Sequence, residues 1–241
     1  MSKLPKISCF CATYGRPFLL EEAIYSFLQQ DYAGEKELVI LNDLADQTLI
    51  FDHPEVKIYN TKDRITPLGK KFNSTVALCS GEYVTPWEDD DIYLKNKLSV
   101  QHKYLNADGI FHTSMGYIEE SHQYITRTKN LFQCNMLLRR DVFDDMGGYE
   151  EIKDRGTIDS HLISRLIVKF GHFTRDIPDR DQFYVYRWGT ADNYHASGWG
   201  SGDVSALAAQ VVSHRLTAGQ MASGEIQLKP RWKYDYERFI P

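Results

Sequence analysis

The segment GEYVTPWEDDD, residues 81–91, places four consecutive carboxylates directly after a short apolar stretch. Tyr83, Val84 and Trp87 give that stretch the composition of a buried strand. Like charges this close repel one another and resist burial, so folding alone does not explain the acidic tetrad, residues 88–91. A hard divalent cation would remove the conflict, because it prefers carboxylate oxygens and takes its remaining ligands from phosphates and water. A solvated acidic turn is the alternative.

Residues 1–105 alternate between strand and helix patterns. Apolar runs predict strands at 7–12, 37–41, 56–59 and 83–87, and helical spacing of apolar residues predicts helices at 17–30, at 67–80 after a Thr66 cap, and after residue 91. Such alternation predicts an α/β fold with a mostly parallel sheet that helices cover on both faces. Ligands of these sheets bind at the carboxyl ends of the strands, where Tyr14, Asp43 and the acidic tetrad fall.

The second half of the chain has a different pattern. Alternating polar and apolar residues predict antiparallel strands within 109–125, and further patterns predict strands at 135–138 and 183–188 and helices at 141–146, 159–170 and 203–217. Because no linker separates the halves, we expect them to share one sheet and one core. We divide the chain into 1–105, 106–202 and a C-terminal helix and tail, 203–241.

Composition narrows the class of protein. The 241 residues are 42% apolar and carry a net charge of −5, which gives no sign of a polybasic surface for nucleic acid or anionic lipid. No apolar run approaches the roughly 20 residues that span a bilayer, and the N-terminus lacks the apolar core of a signal peptide. We therefore expect a cytoplasmic protein without a membrane span, whose four cysteines are reduced core residues.

Five motifs occur in a characteristic order along the chain. They are ATYGRP at 12–17, VILND at 39–43, LGKKFN at 68–73, the segment 81–91, and RDVFDDMGGYEE at 140–151. Together they resemble the motifs of family 2 glycosyltransferases with the GT-A fold, over about residues 6–198. The resemblance implies a Rossmann-like, mostly parallel central sheet flanked by helices, with a small antiparallel sheet on the acceptor side.

The resemblance also implies an activity: inverting, metal-dependent transfer of a sugar from a nucleotide diphosphate sugar to an acceptor hydroxyl. A UDP-sugar is favoured as donor, and Mn²⁺ or Mg²⁺ is implied as cofactor. The acceptor stays open among a glycan, a protein side chain, a small molecule and a modified nucleic-acid base.

Family positions assign the donor site. Asp43 would accept a hydrogen bond from the nucleobase, and Glu88 or Asp89 would contact the ribose hydroxyls. The chain has Phe72 where relatives usually carry an arginine, so contact with the phosphates falls to a lysine or to Arg64. The set assigned to the nucleotide sugar is Thr13, Tyr14, Arg16, Asp43, Lys70, Lys71, Asn73, Glu88 and Asp89.

Metal and acceptor residues follow from the same comparison. Asp90 would bind the metal directly, Asp91 directly or through water, and His195 as a further ligand. Asp159, at the start of the helix predicted at 159–170, matches the family's catalytic base, with Asp154 as the alternative; a plain helix cap is the structural interpretation of Asp159. Arg187 either borders the acceptor site or simply ends a strand.

Two other classes of protein remain. A nucleotidyltransferase would also use carboxylates and a metal, although the N-terminus lacks the expected glycine-rich phosphate loop. A sugar-binding or nucleic-acid-binding module that retains the fold without catalysis is the second. Hydrolysis of a sugar donor would separate this module from the enzymes.

Overall fold

The computed structural model describes residues 3–121, 124–152, 158–187 and 222–240. Its strands are β1 (Ile7–Thr13), β2 (Lys36–Asn42), β3 (Gln47–Ile50), β4 (Val56–Asn60), β5 (Tyr83–Pro86), β6 (Ile92–Tyr93), β7 (Ile110–Phe111), β8 (Met115–Ser121), β9 (Tyr124–Lys129), β10 (Leu137–Arg139), β11 (Tyr184–Arg187) and β12 (Gly224–Gln227). Its α-helices are α1 (Pro17–Leu28), α2 (Leu68–Ala77), α3 (Lys97–Lys103), α4 (Arg140–Asp145), α5 (Ile158–Phe170) and α6 (Tyr236–Phe239).

The central sheet has six strands in the order β4-β2-β1-β5-β10-β7. The first four are parallel, and β10 runs antiparallel to both β5 and β7. Strands from both halves of the sequence therefore share this sheet, with Leu138 opposite Val84. The prediction of an α/β fold with a mostly parallel central sheet is confirmed.

A second sheet has the strand order β6-β11-β8-β9. Three of its strands, β8, β9 and β11, come from the second half of the chain. The pair β8–β9 is antiparallel, as expected. The pair β6–β11 is also antiparallel, but β11 runs parallel to β8. This sheet is therefore mixed. Strand β6 is a separate difference, because the sequence predicted only helix after the acidic tetrad.

The central strands are buried on both faces because helices cover each face. Side chains alternate along β1, so that Cys9 and Cys11 pack with Ile24 of α1 on one face. On the opposite face Phe10 packs with Phe72 of α2 and with α5 residues. This explains why β1 reads as a continuous apolar run. All four cysteines are buried and free, as predicted.

Several boundaries differ from the sequence prediction. Helix α2 begins at Leu68, with Pro67 in extended backbone as its N-cap, so Thr66 does not cap it as expected. The short parallel pair β3–β12 was not predicted, because each strand has only four residues and is recognisable only beside its partner. The helix predicted at 203–217 lies outside the described residues. None of the described helices has the length and apolarity needed to cross a membrane.

Candidate active site

Three strand ends meet at one edge of the central sheet. Thr13 ends β1, Asp43 follows β2, and the acidic tetrad follows β5, which pairs with β1. The Thr13 hydroxyl donates to Asp89 Oδ2 at 2.5 Å. Lys71 of α2 connects the ends of β1 and β2, because its Nζ donates to the Thr13 carbonyl and to Asp43 Oδ1, each at 2.5 Å. Four of the predicted residues therefore form one hydrogen-bonded cluster: Thr13, Asp43, Lys71 and Asp89.

Arg16 neutralises the first part of the acidic tetrad. Its Nε lies 3.1 Å from Asp89 Oδ2 and its Nη1 lies 2.5 Å from Asp90 Oδ2, while Nη2 pairs with Asp89 Oδ1. Asp89 is fully buried, and this burial raises the pKa of its carboxyl while the Arg16 charge opposes the rise. The guanidinium explains how two adjacent carboxylates are accommodated at the end of a buried strand.

Asp91 has a different environment from Asp90. Its Oδ2 accepts a hydrogen bond from the Tyr184 hydroxyl at 2.6 Å, and its Oδ1 accepts one from the Arg187 main-chain N–H at 3.1 Å. Both donors belong to β11, and Asp91 is buried. Asp91 therefore joins the acidic tetrad to the second sheet. Its role as a metal ligand, directly or through water, stays a prediction.

Glu88 stands at the start of the tetrad and is half-buried. Its Oε1 accepts a hydrogen bond from Gln133 Nε2 at 2.7 Å, and its main-chain N–H donates to the Tyr93 hydroxyl at 2.7 Å. Burial, together with the negative charge of the three aspartates, raises the pKa of Glu88 to about 8. The three neighbouring aspartates therefore favour the protonated form of Glu88.

Lys97 is a buried cation that contacts the end of β5, next to the acidic tetrad. This fully buried lysine donates from Nζ to the Pro86 carbonyl at 2.7 Å. The same Nζ lies 4.4 Å from the centre of the Trp87 ring and 4.0 Å from that of Tyr93, in range of cation–π attraction. Burial lowers the pKa of Lys97 to about 8. Its cost of burial is offset by these contacts with the end of β5.

Asp43 is the centre of a second charged group. Besides Lys71, it binds Arg64 Nη1 at 2.5 Å and accepts a hydrogen bond from the Ile65 N–H at 2.9 Å. The Arg64 guanidinium lies over the Tyr14 ring, 3.6 Å from its centre. Burial lowers the pKa of Lys71, and the Asp43 carboxylate opposes that change. A compact group of contacting side chains therefore lies beside the acidic tetrad. It consists of Tyr14, Arg64, Asp43 and Lys71.

Phe72, which stands at the position of the usual arginine, belongs to the core. Its ring lies 6.2 Å from that of Phe10 and 4.9 Å from that of Tyr149. It therefore contributes no charge to the cluster. The two cations that lie nearest to the strand ends from this side are Lys71 and Arg64, which are the alternatives that the sequence left open.

Other residues assigned to the nucleotide sugar lie apart from the cluster. Lys70 is exposed on α2. Asn73 pairs with the main chain of Tyr149, because its Nδ2 donates to the Tyr149 carbonyl at 2.9 Å and its Oδ1 accepts from the Tyr149 N–H at 2.8 Å. Asn73 therefore joins α2 to the motif at 140–151.

The acceptor side is described only in part. Asp159 is the second residue of α5, near the helix N-terminus as predicted, but its side chain is outside the description. Asp154, the alternative base, and His195, the predicted further metal ligand, lie outside the described residues. Among the residues that the structure describes, no group of three or more histidine, cysteine, aspartate or glutamate side chains is arranged to hold a metal ion.

Comparison with known proteins adds sequence relatives. No family model matches the chain. It is 34% identical over 104 residues to the GalNAc(5)-diNAcBac-PP-undecaprenol beta-1,3-glucosyltransferase of Campylobacter jejuni, a match that covers 40% of this chain and 33% of that protein. It is 32% identical over 109 residues to WcaA of Escherichia coli, named a colanic acid biosynthesis glycosyl transferase, covering 42% of this chain and 38% of that protein. The chain therefore matches only about a third of the length of each relative.

Solved structures share the fold over most of the chain. The structure of S. aureus TarS in complex with UDP-GlcNAc superposes with a TM-score of 0.59 at 13% identity, covering 87% of this chain and 66% of that one. The mannosyltransferase PcManGT from Pyrobaculum calidifontis, in complex with GDP-Man and Mn²⁺, superposes with a TM-score of 0.58 at 15% identity, covering 92% of this chain and 66% of that one. The predicted resemblance to the family 2 glycosyltransferases is confirmed. The chain has their GT-A fold.

Some residues of this candidate site were not assigned from the sequence. Gln133 and Tyr184 contact the acidic tetrad, from the segment before β10 and from β11. Lys97 of α3 contacts the end of β5 just before the tetrad. Each lies in an apolar or mixed stretch with no motif of its own. The one available signal was for Lys97, a charged residue within the apolar stripe of a helix, since buried charges are rare unless they are paired.

Proposed function

We propose that the protein is an inverting glycosyltransferase that moves a sugar from a nucleotide diphosphate sugar to an acceptor hydroxyl. The observation that supports this most strongly is the cluster at the carboxyl ends of β1, β2 and β5. Through Thr13 and Lys71 it joins Asp43, an aspartate suited to a nucleobase, to Asp89, a carboxylate suited to ribose. Arg16 then joins Asp89 to Asp90, a carboxylate suited to a metal. Ligands of open α/β sheets bind at such strand ends.

At the nucleobase end, the Asp43 carboxylate would accept the base N–H while the Tyr14 ring contacts the face of the base. Arg64 now lies on that ring and pairs with Asp43. Its side chain is about half exposed, so it can turn toward solvent and toward the diphosphate when the base enters. Lys71, which is buried, would remain on Asp43 and keep its carboxylate oriented.

At the diphosphate end, Asp90 is the described side chain best suited to a divalent cation. The donor set is of the type that Mn²⁺ and Mg²⁺ prefer, since one carboxylate with diphosphate oxygens and water completes the coordination shell. His195 stays a proposed further ligand. A bound metal would supply Lewis-acid neutralisation of the charge that develops on the departing diphosphate. Arg16, which pairs with Asp90, would adjust its position as this cation binds.

On the acceptor side, we propose Asp159 as the general base. Its place in the first turn of α5 favours the ionised carboxylate, because unpaired main-chain N–H groups give that end of a helix a partial positive charge. The base would take the proton of the acceptor hydroxyl as its oxygen attacks the anomeric carbon opposite the diphosphate, which inverts the configuration. Asp154 is the alternative.

A binding screen tests the donor part of this proposal. UDP, GDP, CDP and ADP are each added with MnCl₂, and unfolding is followed by thermal shift; a nucleotide at 100 times its Kd stabilises the native protein by about 2.7 kcal/mol. We expect UDP to give the largest shift, and we expect the shift to be lost in Asp43→Asn but kept in the matched variant Asp63→Asn, whose side chain is exposed on a neighbouring loop. Absence of a shift with all four nucleotides would contradict the proposal.

A second experiment separates transfer from the other functions. Slow hydrolysis of UDP-sugars or GDP-mannose to the nucleoside diphosphate, dependent on MnCl₂, is expected of a glycosyltransferase without its acceptor. A nucleotidyltransferase would instead release a nucleoside monophosphate or pyrophosphate. A binding module would show the thermal shift and no turnover.

A further inference from the structure

We infer that Arg187, held in place by the C-terminal segment 222–240, is a positioning residue for the Asp90 carboxylate. The functional part of the inference rests on the proposed donor site. Arg187 ends β11 and is 2% exposed. Its Nε donates to the Asp90 main-chain carbonyl, and its own main-chain N–H donates to Asp91 Oδ1 at 3.1 Å. One residue therefore holds two successive members of the acidic tetrad, Asp90 by its main chain and Asp91 by its carboxylate.

The orientation of Asp90 follows from these contacts. Its carbonyl is held by Arg187, and its carboxylate pairs with Arg16 Nη1 at 2.5 Å. Because the carbonyl of Asp90 and the carboxylate of Asp91 are both held by Arg187, the Asp90 side chain has few directions left. Arg187 thus directs Asp90, the carboxylate that we propose as the direct metal ligand, by holding its main chain.

Arg187 is anchored on its far side. Its Nη1 lies 2.5 Å from Glu22 Oε2 of α1 and donates to the Tyr236 hydroxyl at 3.1 Å. Burial opposes the charge on Arg187, but the neighbouring Tyr236 and Glu22 outweigh it and raise the pKa of the guanidinium. Glu22 is buried as well, so the pair is fixed in one geometry. The C-terminal Tyr236 is therefore part of the support of the acidic tetrad.

The segment 222–240 is attached to the same helix by further contacts. The Lys233 main-chain N–H donates to Glu22 Oε1 at 2.9 Å, and Trp232 Nε1 donates to Ser26 Oγ at 3.1 Å. Trp232 also packs edge-on against Tyr25, with ring centres 5.5 Å apart. The segment is thus held on α1 by polar and aromatic contacts, in the place where it can fix Glu22 and Arg187.

The other end of the segment reaches the nucleobase side. Strand β12 pairs with β3, and Gln47 Nε2 donates to the Ala222 carbonyl at 2.8 Å. The Gln47 carbonyl in turn accepts from Asn42 Nδ2 at 3.0 Å, one residue before Asp43. The segment therefore contacts residues that hold both ends of the donor site. It reaches Asp43 through Gln47 and Asn42, and it reaches Asp90 through Arg187.

Three variants test the inference. Arg187→Lys keeps the charge beside Glu22 but cannot also reach the Asp90 carbonyl, and Tyr236→Phe removes only the hydroxyl. Arg140→Lys is the matched control, because Arg140 also donates to main-chain carbonyls, those of Val76 and Cys79, but contacts neither the tetrad nor the C-terminal segment. Amide hydrogen exchange of residues 88–92 is measured first, without nucleotide.

We expect Arg187→Lys to speed amide exchange at 88–92 roughly tenfold or more relative to the β1 amides. The reason is that the loss of a hydrogen bond from a charged group favours local opening by at least that factor. We expect Tyr236→Phe to give a smaller change in the same direction and Arg140→Lys none there. Unchanged exchange at 88–92 in a folded Arg187→Lys protein would overturn the positioning role, whether or not any nucleotide binds.

Affinity for UDP and GDP with MnCl₂ is then measured by calorimetry as a double-mutant cycle. Arg187→Lys is expected to weaken binding about tenfold in the native background and to cause no further loss in an Asp90→Ala background, because residues that act through one another are not additive. Equal losses in both backgrounds would mean that Arg187 does not act through Asp90. If the unsubstituted protein binds neither nucleotide, the proposed donor site fails, while the exchange experiment still decides the structural role of Arg187.

Discussion

Replacing Arg16 by methionine should make the stability of this protein depend on divalent metal. The guanidinium lies between Asp89 and Asp90 and is only 15% exposed, so its removal leaves two adjacent, buried carboxylates without their cation. Methionine keeps the length of the side chain and its apolar contacts. The perturbation is therefore close to the loss of the charge alone.

The size of the effect follows from this geometry. Two unit charges about 4 Å apart attract by ~4 kcal/mol at an effective dielectric constant of ~20, and breaking a buried pair by removing one partner costs about 3–5 kcal/mol. Thr13 still donates to Asp89, which keeps the loss in the lower part of that range. Protonation of one carboxyl relieves the repulsion between Asp89 and Asp90. The loss of stability in Arg16→Met should therefore shrink as the pH is lowered toward 5.

Urea unfolding at pH 7 provides the assay, in EDTA and in MnCl₂. We expect Arg16→Met to lose about 3 kcal/mol in EDTA and to regain part of it in MnCl₂, because a divalent cation takes over the role of the guanidinium. Arg139→Met is the control: Arg139 pairs with the exposed Asp141 at the surface, and its loss should have little effect in either medium. A variant as stable as the native protein in EDTA would refute the reasoning.

Three further predictions concern the base, the nucleobase and pH. Asp159→Asn, which keeps the size of the side chain but takes no proton, should lower kcat about 10²–10⁴-fold with donor affinity unchanged; near-native turnover would move the base to Asp154. Asp43→Ala should raise KM for the donor and leave kcat nearly unchanged, since a base contact stabilises ground and transition states alike; an unchanged KM would remove Asp43 from the pocket. Burial lowers the pKa of His112 to about 4, so the unfolded chain, whose histidine titrates near 6.5, binds more protons between these values. Stability should therefore fall as pH drops from about 6.5 to 4, by up to ~3 kcal/mol from this residue, and His112→Gln should flatten that part of the curve in urea unfolding.

The sequence by itself determined the central sheet and the place of its site. The apolar runs of β1, β2 and β5 are local signals, and parallel strands put their carboxyl ends at one edge, so Thr13, Asp43 and the acidic tetrad were expected together. The structure brings them into one cluster. The family resemblance followed from the order of short motifs, each confined to a few residues.

Only the tertiary structure decided how the four carboxylates differ from one another. Their sequence positions are nearly equivalent, yet Asp90 pairs with Arg16, Asp91 with Tyr184 and Glu88 with Gln133. These partners lie far away in the chain, and no local pattern specifies which of several distant groups a carboxylate will meet. The same holds for the pair Arg187–Glu22, separated by 165 residues, and for β12, a four-residue strand that exists because β3 offers it an edge. Periodicity and capping act within one helix or strand, whereas charge pairing depends on which buried groups the finished fold leaves within 3 Å of each other.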